Sequence, residues 1–478
     1  MKSLVVILPL AALMTLVFIS GPPTSSVAQE GRRSGEGRLG RLGITGDGKT
    51  DDTAAIQRAV DEGIGSLSFP KGIYRLTKTI TIDLDKVGFT SIQGDGTARF
   101  EMTAPGPALR FIGTHAGSAA PKDFKPEVWD RQRAPQVTGV EIVGQHAEAD
   151  GIEANGVMQL TLSRLVIRKA RHAVHLTNRN RNVVIDACHF YENSGIGVFY
   201  DNVNLHQSNI VGCHISYNGG GGIVCQGGDV RNIHIGTCDI ESNHSKTGPP
   251  TANVLIDSTG GPSGIAEVAI TGCTIQHNSE SPDSANIRII GKSKTAEREG
   301  YFTITGNVLS DVMTNVHLKD ARGVTLAANT FWSGYDQDLL LENCVGVVMS
   351  GNSFDRNPRV THGKSRDAKG GVILRDCADC ILQGAHVHGV HGQAAGLVVE
   401  NSARINVADC VITDCDGAGV MLKETTSSRV AGCIVRDGRT SKHGDTTAIS
   451  VSGGLANRIS GNVTEGRMLI DPRAAKDD

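Results

Sequence analysis

Ile210-Val211-Gly212-Cys213-His214-Ile215, Ile270-Thr271-Gly272-Cys273-Thr274-Ile275, Ile304-Thr305-Gly306-Asn307-Val308-Leu309 and Ile459-Ser460-Gly461-Asn462 follow one template. A short alternating strand ends in Gly, a Cys or Asn follows, and a second alternating strand begins. With the Cys or Asn slot as a rung, the series runs Gln145, Leu165, Cys188, Cys213, Cys238, Cys273, Asn307, Asn329, Asn352, Ala385, Cys410, Cys433 and Asn462, about 26 residues apart. After a polar turn each rung is followed by a further strand, as in Gly195-Ile196-Gly197-Val198, Gly222-Ile223-Val224-Cys225, Asn286-Ile287-Arg288-Ile289, Gly371-Val372-Ile373-Leu374 and Gly419-Val420-Met421-Leu422. Strands of three to five residues recurring at this period predict an all-β solenoid, a single-stranded parallel β-helix whose stacked coils share one core. The spacing lacks the leucine pattern and helical return of a leucine-rich repeat, and it is too short for a propeller blade.

Composition agrees. Gly makes up 59 of 478 residues, nearly twice ordinary usage, while aromatics are only 4%, which suits tight turns more than a conventional core. Lys and Arg total 47 against 50 Asp and Glu, so the chain has no basic footprint for nucleic acid or an anionic membrane surface.

Lys2, the apolar run Leu4 to Ile19 and the small residues of Ser26-Val27-Ala28 read as a signal peptide over residues 1–28, and no later segment is apolar enough to span a bilayer. Residues 29–42, rich in Gly and Arg, read as a flexible lead-in. The β-helix is expected over 43–470, with a cap at 43–75 and a tail at 471–478. Export directs the protein to the periplasm, the cell surface or the medium. Its oligomeric state is not legible.

Eleven cysteines in an exported chain suggest disulfides, but the number is odd and most fall on rungs. Mostly free thiols filling the core are expected, alternating with Asn whose amide bonds the coils above and below. Cys377-x-x-Cys380 lies at a coil edge and reads as structural. Asn193, Asn218, Asn243 and Asn278, five residues after successive rungs, predict a second stacked column.

Ahead of the coils, Gly43-Ile44-Thr45-Gly46-Asp47-Gly48-Lys49-Thr50-Asp51-Asp52-Thr53-Ala54-Ala55-Ile56-Gln57-Arg58-Ala59-Val60 predicts a capping helix, N-capped by Thr50 or Asp51, with an apolar stripe of Ala55, Ile56, Ala59 and Val60. With Leu67-Ser68-Phe69-Pro70-Lys71-Gly72-Ile73-Tyr74, this stretch resembles the N-terminal signature of the pectate-lyase-like superfamily, which includes polygalacturonase- and rhamnogalacturonase-like glycosidases, lyases, epimerases and phage tailspikes. The resemblance implies a right-handed β-helix and an extracellular polysaccharide as substrate class, without fixing a reaction. The Asn-Thr-Asp, paired Asp-Asp, Gly-His-Gly and Arg-Ile-Lys of polygalacturonase-like enzymes do not occur in the coils. Thr361-His362-Gly363 and Lys442-His443-Gly444 are poor echoes, so no catalytic residue carries over.

Alternation projects two outward columns: Glu153, His175, Gly197, Val224, Leu255, Arg288, His317, Leu340, and Phe199, Gln226, Asp257, Ile290, Lys319, Glu342, Arg375, Glu400, Lys423. The last five alternate in sign as a salt-bridge ladder would. Inserts at 241–252, 258–267, 279–285 and 291–301 are expected to wall a cleft over Asp257 and Arg288, with the 113–136 insert and its Trp129 leaning over the same face. The catalytic candidates are Asp257, Arg288, Glu241, His317 and Lys319. Glu241 with Asp257 suits a glycosidase, and His317 or Lys319 with Arg288 suits a β-elimination lyase. His244, Trp129, Gln226, Glu153, His175 and Tyr200 are candidate substrate contacts. Glu153, His175, Glu192, Tyr200 and Asp201 form an alternative site, with Tyr191 and Tyr217 as sugar platforms. His386-x-His388-x-x-His391 lacks a nearby carboxylate for metal, no dense acidic loop offers a Ca²⁺ site, and no cofactor is expected. The leading expectation is an enzyme cleaving a polysaccharide, with a non-catalytic glycan-binding or surface protein, or a sugar epimerase, as the alternative.

Overall fold

A computed structural model describes residues 39–118, 120–261, 264–277, 280–292, 299–361, 364–439 and 446–477. The expected signal peptide, Asn278, His362-Gly363 and Lys442-His443-Gly444 lie outside them. Every strand ladder is parallel and joins a strand to its equivalent one coil away, which makes a parallel β-helix with three stacked sheets. The first sheet includes Val166–Arg168, His189–Tyr191, His214–Ser216, Asp239–Glu241 and Thr274–Gln276. The second includes Gly221–Gln226, Ala252–Asp257, Ala285–Ile290 and Ala395–Glu400. The third includes the later part of Asp229–Gly236, Gly264–Thr271 and Glu299–Thr305. Some strands, such as Val174–Asp186 and Ile196–Val211, continue round the corner from the second sheet into the third.

One inward residue per short strand builds the core. Phe190, Ile215, Ile240 and Ile275 line the first sheet, and Ile185, Ile210, Ile235 and Ile270 the third, all buried in one continuous cluster. The rung sits between these two rows, just after a residue in the left-handed region: Ala187, Gly212, Thr237, Gly272 and Gly306 have φ of 50, 60, 50, 64 and 65°. A Cβ added at Gly212, Gly272 or Gly306 would meet nothing within 4 Å, so Gly serves backbone conformation there and not close packing. The rung expected at Gln145 lies instead at Val140, preceded by Gly139 at φ 63°, because Val166 pairs with Glu141. Gln145 falls beyond that strand and is exposed.

All eleven cysteines are free and buried. Where Asn takes the rung it does what was expected of it. Asn307 donates through Nδ2 to Oδ1 of Asn329 at 3.0 Å, and Asn329 to Asn352 at 3.0 Å, while each amide oxygen also accepts the backbone N–H of the preceding rung. Cys188 N–H points at Sγ of Cys213 at 3.5 Å, a weaker version of the same link.

The second column changes carrier after three coils. Asn193 donates to Asn218 at 2.8 Å, and Asn218 to Asn243 at 2.7 Å. Asn243 then donates to Asn253 at 2.9 Å, which continues through Asn286, Asn315 and Asp338. The new carriers occupy the inward corner held by Gly197 and Gly222 in earlier coils, where a Cβ would press on the amides of Asn218 and Asn243 at 3.2 and 2.9 Å. Asp338 ends the column as a pure acceptor, taking N–H groups of Gly334 and Gly371 besides the Asn315 amide. Burial pushes its carboxyl up to about 6.

At the N-terminal end, the helix Thr53–Asp61 lays Ala55, Ile56, Ala59 and Val60 into the core. Its N-cap position is Asp52, one residue later than expected. The Asp52 carboxylate turns away to accept Thr45 N–H at 2.7 Å and Gly46 N–H at 3.0 Å, whereas Asp51 Oδ1 accepts Thr53 N–H at 3.0 Å and so supplies the helix start with an oxygen. At the other end, Ala475–Asp477 pairs with Asn457–Ser460, so the coils run into the segment expected to be a tail. Leu39, in the expected lead-in, is buried in the same core. Among the described residues, no helix is long and apolar enough to cross a membrane.

Candidate functional site

Strand register fixes two outward columns on the second sheet. One is Arg110, Glu153, His175, Phe199, Val224, Leu255, Arg288, His317 and Leu340. The other is Thr177, Asp201, Gln226, Asp257, Ile290, Lys319, Glu342, Arg375, Glu400 and Lys423. The sequence projection put Gly197 in the first and Phe199 in the second. The corner corrects it: Gly197 sits inside against the Asn column, so Phe199 moves to the first and Asp201 enters the second. From Arg110 to His317 the strip is about 34 Å long at roughly 4.8 Å per coil.

Two polar clusters lie on this strip, one toward each end. In the C-terminal one, Arg288 is 5% exposed, and its Nη2 donates to the carbonyl and Oδ1 of Asp283 at 2.9 and 2.8 Å. Its Nε–H points at Nδ1 of His317 at 3.3 Å, and His317 Nε2 lies 2.9 Å from Glu342 Oε2. A guanidinium can only donate, so Nδ1 accepts and the ring proton sits on Nε2, given to Glu342. Burial, with Arg288 alongside, holds the His317 pKa below its ordinary value, against the opposing pull of Glu342. Lys319 follows two residues later on the same outer face. The arrangement is a neutral imidazole between a guanidinium and a carboxylate, with an ammonium beside it.

In the N-terminal cluster, Arg110 Nε pairs with Glu153 at 2.7 Å and His175 Nε2 with Asp201 at 3.0 Å. The His175 ring stacks on Phe199 with centroids 5.2 Å apart and planes 6° apart. His172 lies 5.3 Å from Phe199, and burial pushes its pKa down to about 4. Phe199, Val224 and Leu255 form an apolar stretch between the clusters. Gln226 borders it, flanked by Asp201 and Asp257 on adjacent coils.

Several expected residues lie elsewhere. Tyr200, expected as a substrate contact, points inward, is wholly buried and shares a 2.6 Å hydrogen bond with Ser208. His244 is 7% exposed, and its Nε2 meets the Ala285 carbonyl at 3.1 Å, bracing the start of a strand instead of facing a groove. Glu241 is on the first sheet, where the Tyr217 hydroxyl donates to it at 2.9 Å. Asp257 ends its strand, roughly 16 Å from that corner, and accepts Thr259 N–H at 2.9 Å. The acid–base pair Glu241 and Asp257 is therefore not assembled. Tyr191 lies on the first sheet in the column of Ser216 and Glu241.

Trp129 stands 4.9 Å from the Arg133 guanidinium and is 49% exposed. Its insert is tied to the corner between the second and third sheets through Arg179 Nη1 donating to Gly117 O at 3.0 Å, and Ala134 N–H to Met158 O at 3.0 Å. It does not lean over Asp257 and Arg288. Glu342, Asp283, Phe199 and His172 complete the clusters and were not read as site residues. Glu342 could have been found by pairing the two columns across the two-residue offset. The charged ladder runs from Arg375 to Glu400 at 3.2 Å and on to Lys423 at 3.5 Å, but Glu342 leaves it for His317. Among the described residues, no three His, Cys, Asp or Glu side chains are grouped to hold a metal ion. The histidines at 386–391, read from the sequence as lacking a nearby carboxylate, do have carboxylates alongside from the next coil: His388 lies 3.0 Å from the Thr413 hydroxyl and 3.7 Å from Asp414, and His391 lies 3.5 Å from Asp416.

Three family models match in succession: rhamnogalacturonase A/epimerase, pectate lyase-like, over residues 41–123; right handed beta helix region over 129–275; and periplasmic copper-binding protein (NosD) over 250–431 and 355–467. Comparison with curated proteins gave no match. Among solved structures, the chain is similar to the bacteriophage CBA120 tailspike protein 3 (15% identity, TM-score 0.44, 92% of this chain and 60% of that one). It is also similar to the A-module of the Azotobacter vinelandii mannuronan C-5 epimerase AlgE4 (12%, 0.40, 92% and 99%). A third similarity is to the GH87 alpha-1,3-glucanase of Streptomyces thermodiastaticus (13%, 0.42, 88% and 68%). The chain thus spans less than two thirds of the tailspike's length. Between residues 41 and 467 the chain thus matches models of right-handed β-helix families in turn, the N-terminal one pectate lyase-like, which is consistent with the pectate-lyase-like superfamily.

Proposed function

We propose that this is an exported carbohydrate-active enzyme that takes a proton from a uronate residue of an acidic polysaccharide laid along the outer face of the second sheet. The observation that carries the reading is the Arg288–His317–Glu342 chain with Lys319 beside it. Abstraction next to a carboxylate needs a neutral base and a cation to quench the carboxylate charge. Arg288 and Lys319 supply cations. Once a substrate carboxylate takes the long Arg288 contact, the Nδ1 lone pair of His317 is released to receive the proton, while Glu342 orients the ring and steadies the imidazolium. In elimination, the electron pair of the broken C–H bond forms a C=C bond, the glycosidic C–O bond breaks, and the departing oxygen recovers a proton through solvent. Re-protonation from the opposite face gives epimerisation by the same first step.

The long strip, its apolar stretch and the pectate lyase-like signature support a polysaccharide substrate. The signal-like residues 1–28 and the match to a periplasmic family support export. A hydrolase that uses Glu241 and Asp257 is disfavoured, because these carboxylates lie on different sheets and each already has a hydroxyl partner. Incubation with uronate and neutral polymers, following reducing ends and the ultraviolet absorbance of unsaturated uronate, separates the outcomes. Absorbance with new ends means lyase, new ends alone mean hydrolase, and neither, with unchanged uronate composition, leaves a binding protein and sinks this proposal.

A further inference from the structure

We propose that the third sheet carries a second, separate groove, for an uncharged, hydroxyl-rich glycan chain; this does not rest on the second-sheet reading. The corner entering the third sheet holds one left-handed residue per coil: Gln159, Asn182, Gln207 and Asn232 have φ of 60, 54, 67 and 60°. Two residues later in each coil, Thr161, Val184, Asn209 and His234 are paired in register and point outward. Together they line a groove of about 630 Å³ whose walls contain no Lys, Arg, Asp or Glu.

Gly is the cheapest residue for a left-handed corner, and Gly323 and Gly346 hold this position in later coils. Here it is filled by a run of amides, side chains that carry both a donor and an acceptor, repeated at about the 4.8 Å coil spacing. Asn182 Oδ1 is buried without a hydrogen-bond partner, an acceptor awaiting a donor. Aromatic surface marks both ends. Phe89 and Trp129, 48% and 49% exposed, sandwich Arg133 immediately before Ala134 of the groove wall. Tyr301, 77% exposed with φ 63°, occupies the same corner further along.

Charge selects the occupant. Glu267 accepts from Asn232 Nδ2 and places a carboxylate at one end, while the neighbouring Arg181 and Arg231 spend Nη1 on backbone carbonyls. An anionic strand is repelled by Glu267 at that end, whereas a neutral one meets no charge along the walls.

Electrophoresis of the native protein through gels containing either neutral polymers (a mixed-linkage β-glucan, a galactomannan, dextran) or uronate polymers (alginate, polygalacturonate) tests this. Retardation is expected in at least one neutral gel. The triple variant Asn182→Gly, Gln207→Gly, Asn232→Gly suits the left-handed corners, so its melting temperature should stay unchanged while apparent affinity falls on the order of tenfold or more. His317→Ala should keep the retardation, which separates this groove from the second-sheet site. No retardation in any neutral gel, retardation confined to uronate gels, or neutral retardation surviving the triple variant overturns the proposal.

Discussion

The proton on His317 is placed by its neighbours, and that makes its role testable residue by residue. Glu342→Gln removes the charge that steadies the imidazolium yet keeps the hydrogen-bonding shape. The expected result is a kcat lowered on the order of 100-fold with KM little changed, measured on whichever uronate polymer is turned over. Asp338 gives a different readout. Its carboxyl binds its proton at about 6 when folded, against 3.8 for an ordinary aspartate, so between those values the folded chain holds the extra proton. Its contribution to stability therefore grows as pH falls from 6 toward 4. His172 and His244, both pushed down to about 4 by burial, act in the opposite direction over pH 6.5 to 4. Urea midpoints at pH 7 and pH 4.5 should show that Asp338→Asn abolishes a low-pH gain on the order of 2 kcal/mol relative to the parent. Alternation alone could not locate these residues. It fails at the corner where Asn253 and Val254 both point inward, which is why Gly197 was read as outward and Phe199 was placed in the wrong column.

Among the elements, the rung was the most legible, because its left-handed Gly and its Cys or Asn leave a repeated dipeptide in the sequence. The second Asn column was only half legible. It moves from the turn at Asn243 to the strand start at Asn253, a change that no fixed spacing announces. Asn329→Ala should lower stability by about 1–3 kcal/mol in urea denaturation, since the N–H and Nδ2 of Asn307 both lose their acceptor. Asn329→Cys should cost less, because Cys fills the same slot at Cys188, Cys213, Cys238 and Cys273. The rung thiols are sealed off, and the same holds for Cys225, whose pKa burial drives far up. Ellman's reagent should titrate none of the eleven thiols rapidly in the native protein and all eleven in guanidinium.

At the scale of the molecule, the period of the repeat and the stretch from Gly43 to Tyr74 were enough to give the solenoid, since a coil must return every 25 or so residues to bury its inward row. The site was not legible to that degree. Which loop lies over which coil depends on corner geometry, and the 113–136 insert packs beside the third sheet, away from Asp257 and Arg288. What the coils provide is a strip on the second sheet where Arg288, His317, Lys319 and Glu342 converge from successive turns. Proton NMR of uronate polymers incubated with the protein in D₂O tests their role most directly, because elimination and epimerisation both begin with loss of the proton beside the carboxylate. The expected result is loss of that proton's signal with the parent protein and its retention with His317→Ala. Retention with the parent in every uronate polymer, or equal loss with the variant, would contradict it.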